Sequence, residues 1–295
     1  MSRFSLSISW VRVMPPLFVF LWSTGFIVAR YGMPLSPPFK FLELRFLFSI
    51  ACFLLWIFIA KIKWPVGRQQ WFHLSVTGLF IQAGYLGGVW VGVKSGIGSG
   101  LTALIVGLQP VLTAIWLSSR RHQISRRQWY GLWFGLGGVI LVLLNKLMAG
   151  IEITTWGLAA EIIALLSITT GTLYQKTFVK ACDVRTANTV QLLASAVITL
   201  PLALMETEAI KWGEQFFYSL AWSVVGLTIG ASSLFYILIH RGASSAVTSL
   251  MYLVPPTTAA IAWLLFEEPI TLITLAGVAL TALGVSLVVR TPQSN

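Results

Sequence analysis

Charge is what this sequence has least of. Only 10% of its 295 residues are Asp, Glu, Lys or Arg, against about 25% in a soluble globular domain. That excludes a solvated surface around most of the chain. Cysteine is scarce as well. Cys52 and Cys182 are the two present; they cannot make a disulfide framework, and no metal-ligand spacing involves them. Histidine occurs three times, as His73, His122 and His240, with no H-E-x-x-H pair and no G-x-S-x-G elbow. The G-x-x-x-x-G-K-[ST] phosphate loop is missing too, so ATP bound by this chain is not its energy source. No metal and no cofactor is expected.

What is present is hydrophobic length. Hydrophobic residues make up 57% of the chain, including thirteen Trp and eighteen Phe, and the mean hydropathy is +0.83. A bilayer core of about 30 Å needs roughly 20 apolar residues in a helix. Runs of that kind recur near 14–32, 40–60, 71–93, 99–118, 127–145, 154–174, 186–205, 214–238, 244–265 and 270–289. They are too long and too little alternating for membrane strands. The expectation is an all-α integral membrane protein of about ten transmembrane helices with short loops. The first run follows Arg3 and Arg12 but lacks a small-x-small cleavage site, so it reads as a helix and not as a removable signal.

A net charge of +11 raises the question of nucleic acid. The distribution of the basic residues answers it: they alternate between loops. With the N-terminus in the cytoplasm, fourteen Lys and Arg fall on that side and five (Arg30, Lys40, Lys94, Lys146 and Lys211) on the other, Arg45 lying inside a helix. This is the positive-inside pattern. It predicts a multi-pass protein of the plasma (bacterial inner) membrane with both termini cytoplasmic and no nucleic-acid partner.

The chain also repeats itself. "VGLQPVLTAIWLSSRRHQIS" at 106–125 aligns without a gap on "YLVPPTTAAIAWLLFEEPIT" at 252–271, a register of 146 residues. The same register carries Trp10 onto Trp156, Gly25 onto Gly171, Gly84 onto Gly230, Gly131 onto Gly277 and Gly138 onto Gly284. Two five-helix repeats are expected, at 13–146 and 153–290. Five is odd, so the second copy enters the membrane inverted. That explains why Arg120-Arg121-His122 aligns with Phe266-Glu267-Glu268: one loop is cytoplasmic and its twin is external. Inverted repeats are the symmetry of alternating access, with the ligand near the midplane.

Trp22-Ser23, Arg45-Phe46, Leu108-Gln109-Pro110, Gly171-Thr172-Leu173-Tyr174-Gln175-Lys176 and Glu267-Glu268-Pro269-Ile270-Thr271, in that order and across both repeats, resemble the EamA-type drug/metabolite transporter superfamily. The resemblance implies a ten-helix permease with both ends inside, moving small organic metabolites such as amino acids, amines or drugs, often outward. The chain departs from the family's pattern at Arg120-Arg121-His122, where an acidic end is usual.

Several polar residues sit inside these runs. Thr102, Gln109 and Thr113 share one helical face; they either line a central cavity or bond a neighbouring helix at about 0.6 kcal/mol each. Pro110 and Pro255-Pro256 interrupt corresponding helices, and matched interruptions point to a site. The remaining substrate-binding candidates are Trp22, Ser23, Arg45, Gln82, Tyr85, Gln191 and Tyr252. Arg45 either attracts a carboxylate or braces a helix. Glu161 lies about two turns into its helix; an ionised acid there is costly, which makes it the candidate for coupling transport to protons, unless it serves only a fixed hydrogen bond. Gly84, Gly88, Gly92, Gly96 and Gly100 recur every four residues and predict close packing of the third and fourth helices. Partners are therefore a small-molecule solute, the lipid bilayer and, as a candidate, protons. A membrane enzyme acting on lipid, which would want a metal pair, a nucleophile with a base or an acid pair, and a receptor or scaffold, which would not need an inverted duplication, are the alternatives.

Overall fold

The computed structural model describes residues 8–120, 126–148, 153–240, 253–267 and 270–289. Among them every regular element is helical. In order these are α1 (Ile8–Gly32), α2 (Pro38–Ala60), α3 (Arg68–Gly78), a π-helical segment π1 (Leu79–Gly84), α4 (Tyr85–Lys94), α5 (Ser99–Val106), α6 (Gln109–Arg120) and α7 (Arg126–Met148). Then follow α8 (Thr155–Phe178), α9 (Val184–Met205), α10 (Glu214–Trp222), a second π segment π2 (Ser223–Ser232), α11 (Ser233–His240), α12 (Val254–Phe266) and α13 (Leu272–Val289). Seven continuous stretches among the described residues are long and apolar enough to cross a membrane, and 254–266 and 272–287 are shorter apolar helices.

Outward faces are as apolar as the interior. Phe58 is 83% exposed and Leu204 76%. Apolar surface of this extent has no place in water and faces lipid. The backbone polar groups are consumed within the helices. Where helices start, caps do the work: Thr154 Oγ1 accepts from Gly157 N at 3.1 Å and Asp183 from Arg185 N at 2.9 Å.

Helix boundaries follow the 146-residue register. The 68–94 stretch of α3, π1 and α4 reappears as the 214–240 stretch of α10, π2 and α11, π segment included. Helix α1 pairs in this way with α8, α2 with α9, and α6 with α12. Helices α7 and α13 lie against each other through glycine. A Cβ on Gly138 would collide with Gly277 and Thr281, and one on Gly284 would collide with Gly131 and Gly135. Early residues of one helix meet late residues of the other, so the two run antiparallel.

Two ends of the bundle are tied by polar contacts. At one, the Glu206 carboxylate accepts from Phe39 N at 2.9 Å and Lys40 N at 2.8 Å, Lys94 pairs with Glu208 at 2.6 Å, and Lys211 N donates to Leu35 O at 2.8 Å. At the other, Gln70 Nε2 donates to Lys180 O at 2.7 Å and His73 Nδ1 lies 2.7 Å from Tyr174 Oη.

The glycine ladder corrects one expectation. Gly84 packs against Ser167, Gly88 against Ala160 and Ala164, and Gly92 against Glu161. The close approach is real, but the partner is α8 and not the fourth helix, because small residues at spacing four mark a smooth face without saying what meets it.

Candidate functional site

The fourth and ninth apolar runs break at corresponding places. Helix α5 ends at Val106 and α6 begins at Gln109, so Pro110 falls in the first turn of α6, where its missing N–H costs nothing. Pro255 and Pro256 fall likewise in the first turn of α12. The breaks touch: Gly107 lies against the ring of Pro255, 2.8 Å from its Cγ to where a Cβ would stand. Ser23 joins this junction. Its hydroxyl bonds Val19 O at 2.7 Å and lies 3.4 Å from Val254 O.

Beside the junction is a small cavity of about 40 Å³, room for a few waters and short of the roughly 300 Å³ at which small-molecule sites begin. Trp22, Arg45, Ile81, Gln82, Tyr85 and Leu227 are on its wall. Ile81 and Gln82 belong to π1; Leu227, Ala231 and Ser232 belong to π2. Both π segments occupy the middle of their 68–94 and 214–238 spans, so the cavity lies at mid-depth. A π turn widens the helix and aims side chains away from the usual face, which is why such turns gather at functional sites. Trp22 and Tyr85 stack with centroids 6.0 Å apart and planes 6° from parallel. Trp90 forms another wall and stacks on Phe41 at 4.4 Å, and Phe41 meets Phe216 edge-on at 5.5 Å. This aromatic layer separates the cavity from the end of the bundle that holds Glu206 and Lys94.

The other described candidates are distributed around the cavity and not on its wall. Thr102 donates to Glu161 Oε1 at 2.7 Å, and Glu161 is fully buried with Oε2 unpartnered. Gln109 Nε2 donates to Thr172 Oγ1 at 3.1 Å. The polar stripe of the fourth run therefore faces α8. Gln191 is buried behind π1 with its backbone against Gly78 and its Nε2 unpartnered. Glu43, close to Arg45 in sequence, bonds Thr199 on α9, whereas Arg45 Nε donates to Thr228 Oγ1 at 3.1 Å. Tyr252 lies outside the described residues. No group of three metal-ligating side chains occurs among the described residues.

Sequence reasoning missed Leu227, Thr228 and Ala231 of π2. A signal existed for Thr228. It is the residue that the 146-residue register places on Gln82, a cavity residue already singled out.

Apolar helices closed around a mid-depth cavity, wrapped by an apolar exterior, define a multi-pass membrane protein. The sequence profile of the EamA-like transporter family matches residues 16–144 and again 155–290, and the chain belongs to that family. Among its relatives, the Uncharacterized transporter YoaV of Bacillus subtilis is 24% identical, with 90% of this chain and 91% of the relative aligned. The Probable amino-acid metabolite efflux pump of Salmonella typhimurium is 27% identical over 91% of each chain. The Uncharacterized inner membrane transporter YedA of Escherichia coli is 25% identical over 64% of this chain and 60% of its own. One solved crystal structure shares the fold, with a TM-score of 0.68 at 17% identity over 95% of this chain and 96% of that one.

Proposed function

We propose that this protein is a secondary transporter that exports small organic metabolites across the bacterial inner membrane by alternating access. Its working unit is ten membrane helices in two inverted repeats, 13–146 and 153–290, with both termini in the cytoplasm. The observation that carries the reading is the pair of π segments. They sit in register 146 residues apart, and both face one cavity at mid-depth. A site shared between two related halves can be exposed to either side by the same motion of one half against the other. The names of the relatives, transporters and an efflux pump among them, support the same reading.

Within it, Trp22, Arg45, Gln82 and Tyr85 contact solute, while Ser23, Thr102, Gln109 and Gln191 hold the moving helices in register. Glu161 is the group through which a proton gradient drives accumulation. The site works by binding and conformational change, with no bond made or broken in the solute. Purified protein in liposomes tests this directly. Release of a preloaded solute faster than from protein-free liposomes carrying the same load is the expected result; no such solute in a screen of amino acids, amines, carboxylic acids and dyes would overturn it.

A further inference from the structure

The charge on the cavity wall comes from Arg45, which is 3% exposed. Its Nε is used by Thr228, and it forms no ion pair among the described residues. The nearby acids are committed elsewhere, Glu43 to Thr199 and Glu161 to Thr102. No acidic side chain lines the cavity. An unpaired buried cation is expensive, and here its guanidinium adjoins empty space. The group that matches a guanidinium in plane, charge and hydrogen-bond geometry is a carboxylate. A phosphate monoester carries closer to two negative charges, and no second cation lines the wall to match the excess. The rest of the wall is flat and apolar: the stacked Trp22 and Tyr85, then Trp90, Ile81 and Leu227. Such surfaces take an aromatic or apolar body. An ammonium placed here meets a like charge and no counter-ion.

We propose that the cavity selects small monocarboxylates with a flat apolar body, Arg45 holding the carboxylate, and rejects amines. This rests on the reading of the cavity as the solute site of a transporter. The register gives Arg45 the neutral Gln191 as its twin, and Gln191 is off the wall. The two halves are therefore unequal, and a bound solute has one orientation, its carboxylate toward α2 and π2.

Four matched solutes test the proposal in proteoliposomes: phenylacetate, phenylacetamide, 2-phenylethylamine and phenylalanine. Phenylacetate flux is expected to exceed that of the amide by roughly tenfold, because the amide offers the guanidinium one neutral acceptor where the carboxylate offers two charged ones. The zwitterion falls between, and the amine is slowest. In Arg45→Gln the acid-to-amide ratio falls toward one, and Arg45→Lys keeps part of the preference. An amine or amide moved faster than the acid by the unaltered protein overturns the carboxylate assignment and leaves transport itself standing. An unchanged ratio in Arg45→Gln does the same. If nothing moves, or if Arg45→Gln fails to fold, thermal stabilisation of the unaltered detergent-solubilised protein decides. A rise with phenylacetate and none with 2-phenylethylamine upholds the proposal; the reverse order overturns it.

Discussion

Thr281 and Gly135 are 146 residues apart in the chain and neighbours in the fold, with Thr281 Oγ1 3.5 Å from Gly135 O. The register of the repeat is also 146, so each is the other's twin. A residue that touches its own twin lies at the axis that exchanges two copies. Around it, Gly138 meets the twins of Gly131 and Gly135, and Gly284 meets Gly131 and Gly135 themselves. Reciprocal contacts with opposite chain directions are what an axis in the membrane plane produces. They support an inverted duplication, in agreement with the reversed charge at the ends of the two aligned segments.

The crossing of α7 and α13 leaves no room for side chains at its centre. Gly138→Ala should therefore destabilise the protein by about 1–3 kcal/mol, the usual cost of overpacking. Gly137→Ala is the control. Its added Cβ meets only Leu280 Cδ2, at an ordinary 3.5 Å. Thermal unfolding in detergent compares the two, and equal midpoints would mean that this seam is looser than its geometry.

Hydropathy located the seven described stretches that can cross a membrane because each is long and apolar enough to be read by itself. It could not show the breaks at 107–108 or the π segments, since both depend on what the neighbouring helices offer the backbone. Among the site residues, Trp22, Arg45, Gln82 and Tyr85 reach one cavity, and each is an unusual residue for a membrane interior. Thr102 and Gln109 are equally unusual but face α8. A polar stripe records that a helix has a polar partner, and the partner can be a cavity or another helix. Leu227 and Ala231 carried no signal, because an apolar cavity wall and an apolar core use the same residues.

Membrane topology is the next expectation. A reporter fused after Asn295 and one inserted near Arg121 should both report cytoplasm, while one near Glu267 should report the outside. Reporter activity in cells checks this. Arg121 and Glu267 on one side would remove the inverted arrangement.

Glu206 latches one end of the bundle. Helix α2 starts at Pro37 and Pro38 with no side-chain cap of its own, and Glu206 from the other half supplies the acceptor. Loss of such a cap costs about 1 kcal/mol, which in the proposed transport cycle falls on the state with that end closed. Glu206→Ala should then raise the open population roughly fivefold. Leu86 is on the cavity wall, and labelling of Leu86→Cys by an impermeant maleimide applied outside, in a chain with Cys52 and Cys182 replaced by Ser, reads this as a faster rate. An unchanged rate would show that the aromatic layer of Phe41, Trp90 and Phe216 is the whole seal.

Helix α9 begins with a different device. Asp183 accepts from Arg185 N at 2.9 Å, and its two oxygens also bond the Arg185 guanidinium at 2.9 and 2.7 Å. Those bonds hold the Asp183 carboxyl below its ordinary value of 3.8. A depressed acid contributes stability that is complete above the unfolded value and is lost as pH falls through the folded one. Asp183→Asn keeps a cap but cannot titrate, so its melting point should fall less than that of the unaltered protein between pH 5 and pH 2. Parallel acid dependence of the two proteins would place the acid-labile group elsewhere.

Glu161 carries the last prediction. Its Oε1 accepts from Thr102 on α5, its Oε2 has no partner, and Gly92 of α4 presses against it. Three helices, α4, α5 and α8, thus meet at one acid. In the proposed transport cycle, opening toward either side brings water to Oε2 and closing removes it, so a proton taken up on one side can leave on the other. Glu161→Gln keeps the acceptor for Thr102 and abolishes the exchange. It adds an amide N–H without a partner, a cost of about 1–3 kcal/mol that a melting curve will register separately. Passive exchange of solute should survive in this variant, while accumulation driven by an imposed pH gradient disappears. Uptake into liposomes with and without the gradient measures both. Accumulation that persists in Glu161→Gln would mean that protons, if they drive transport, cross by another group.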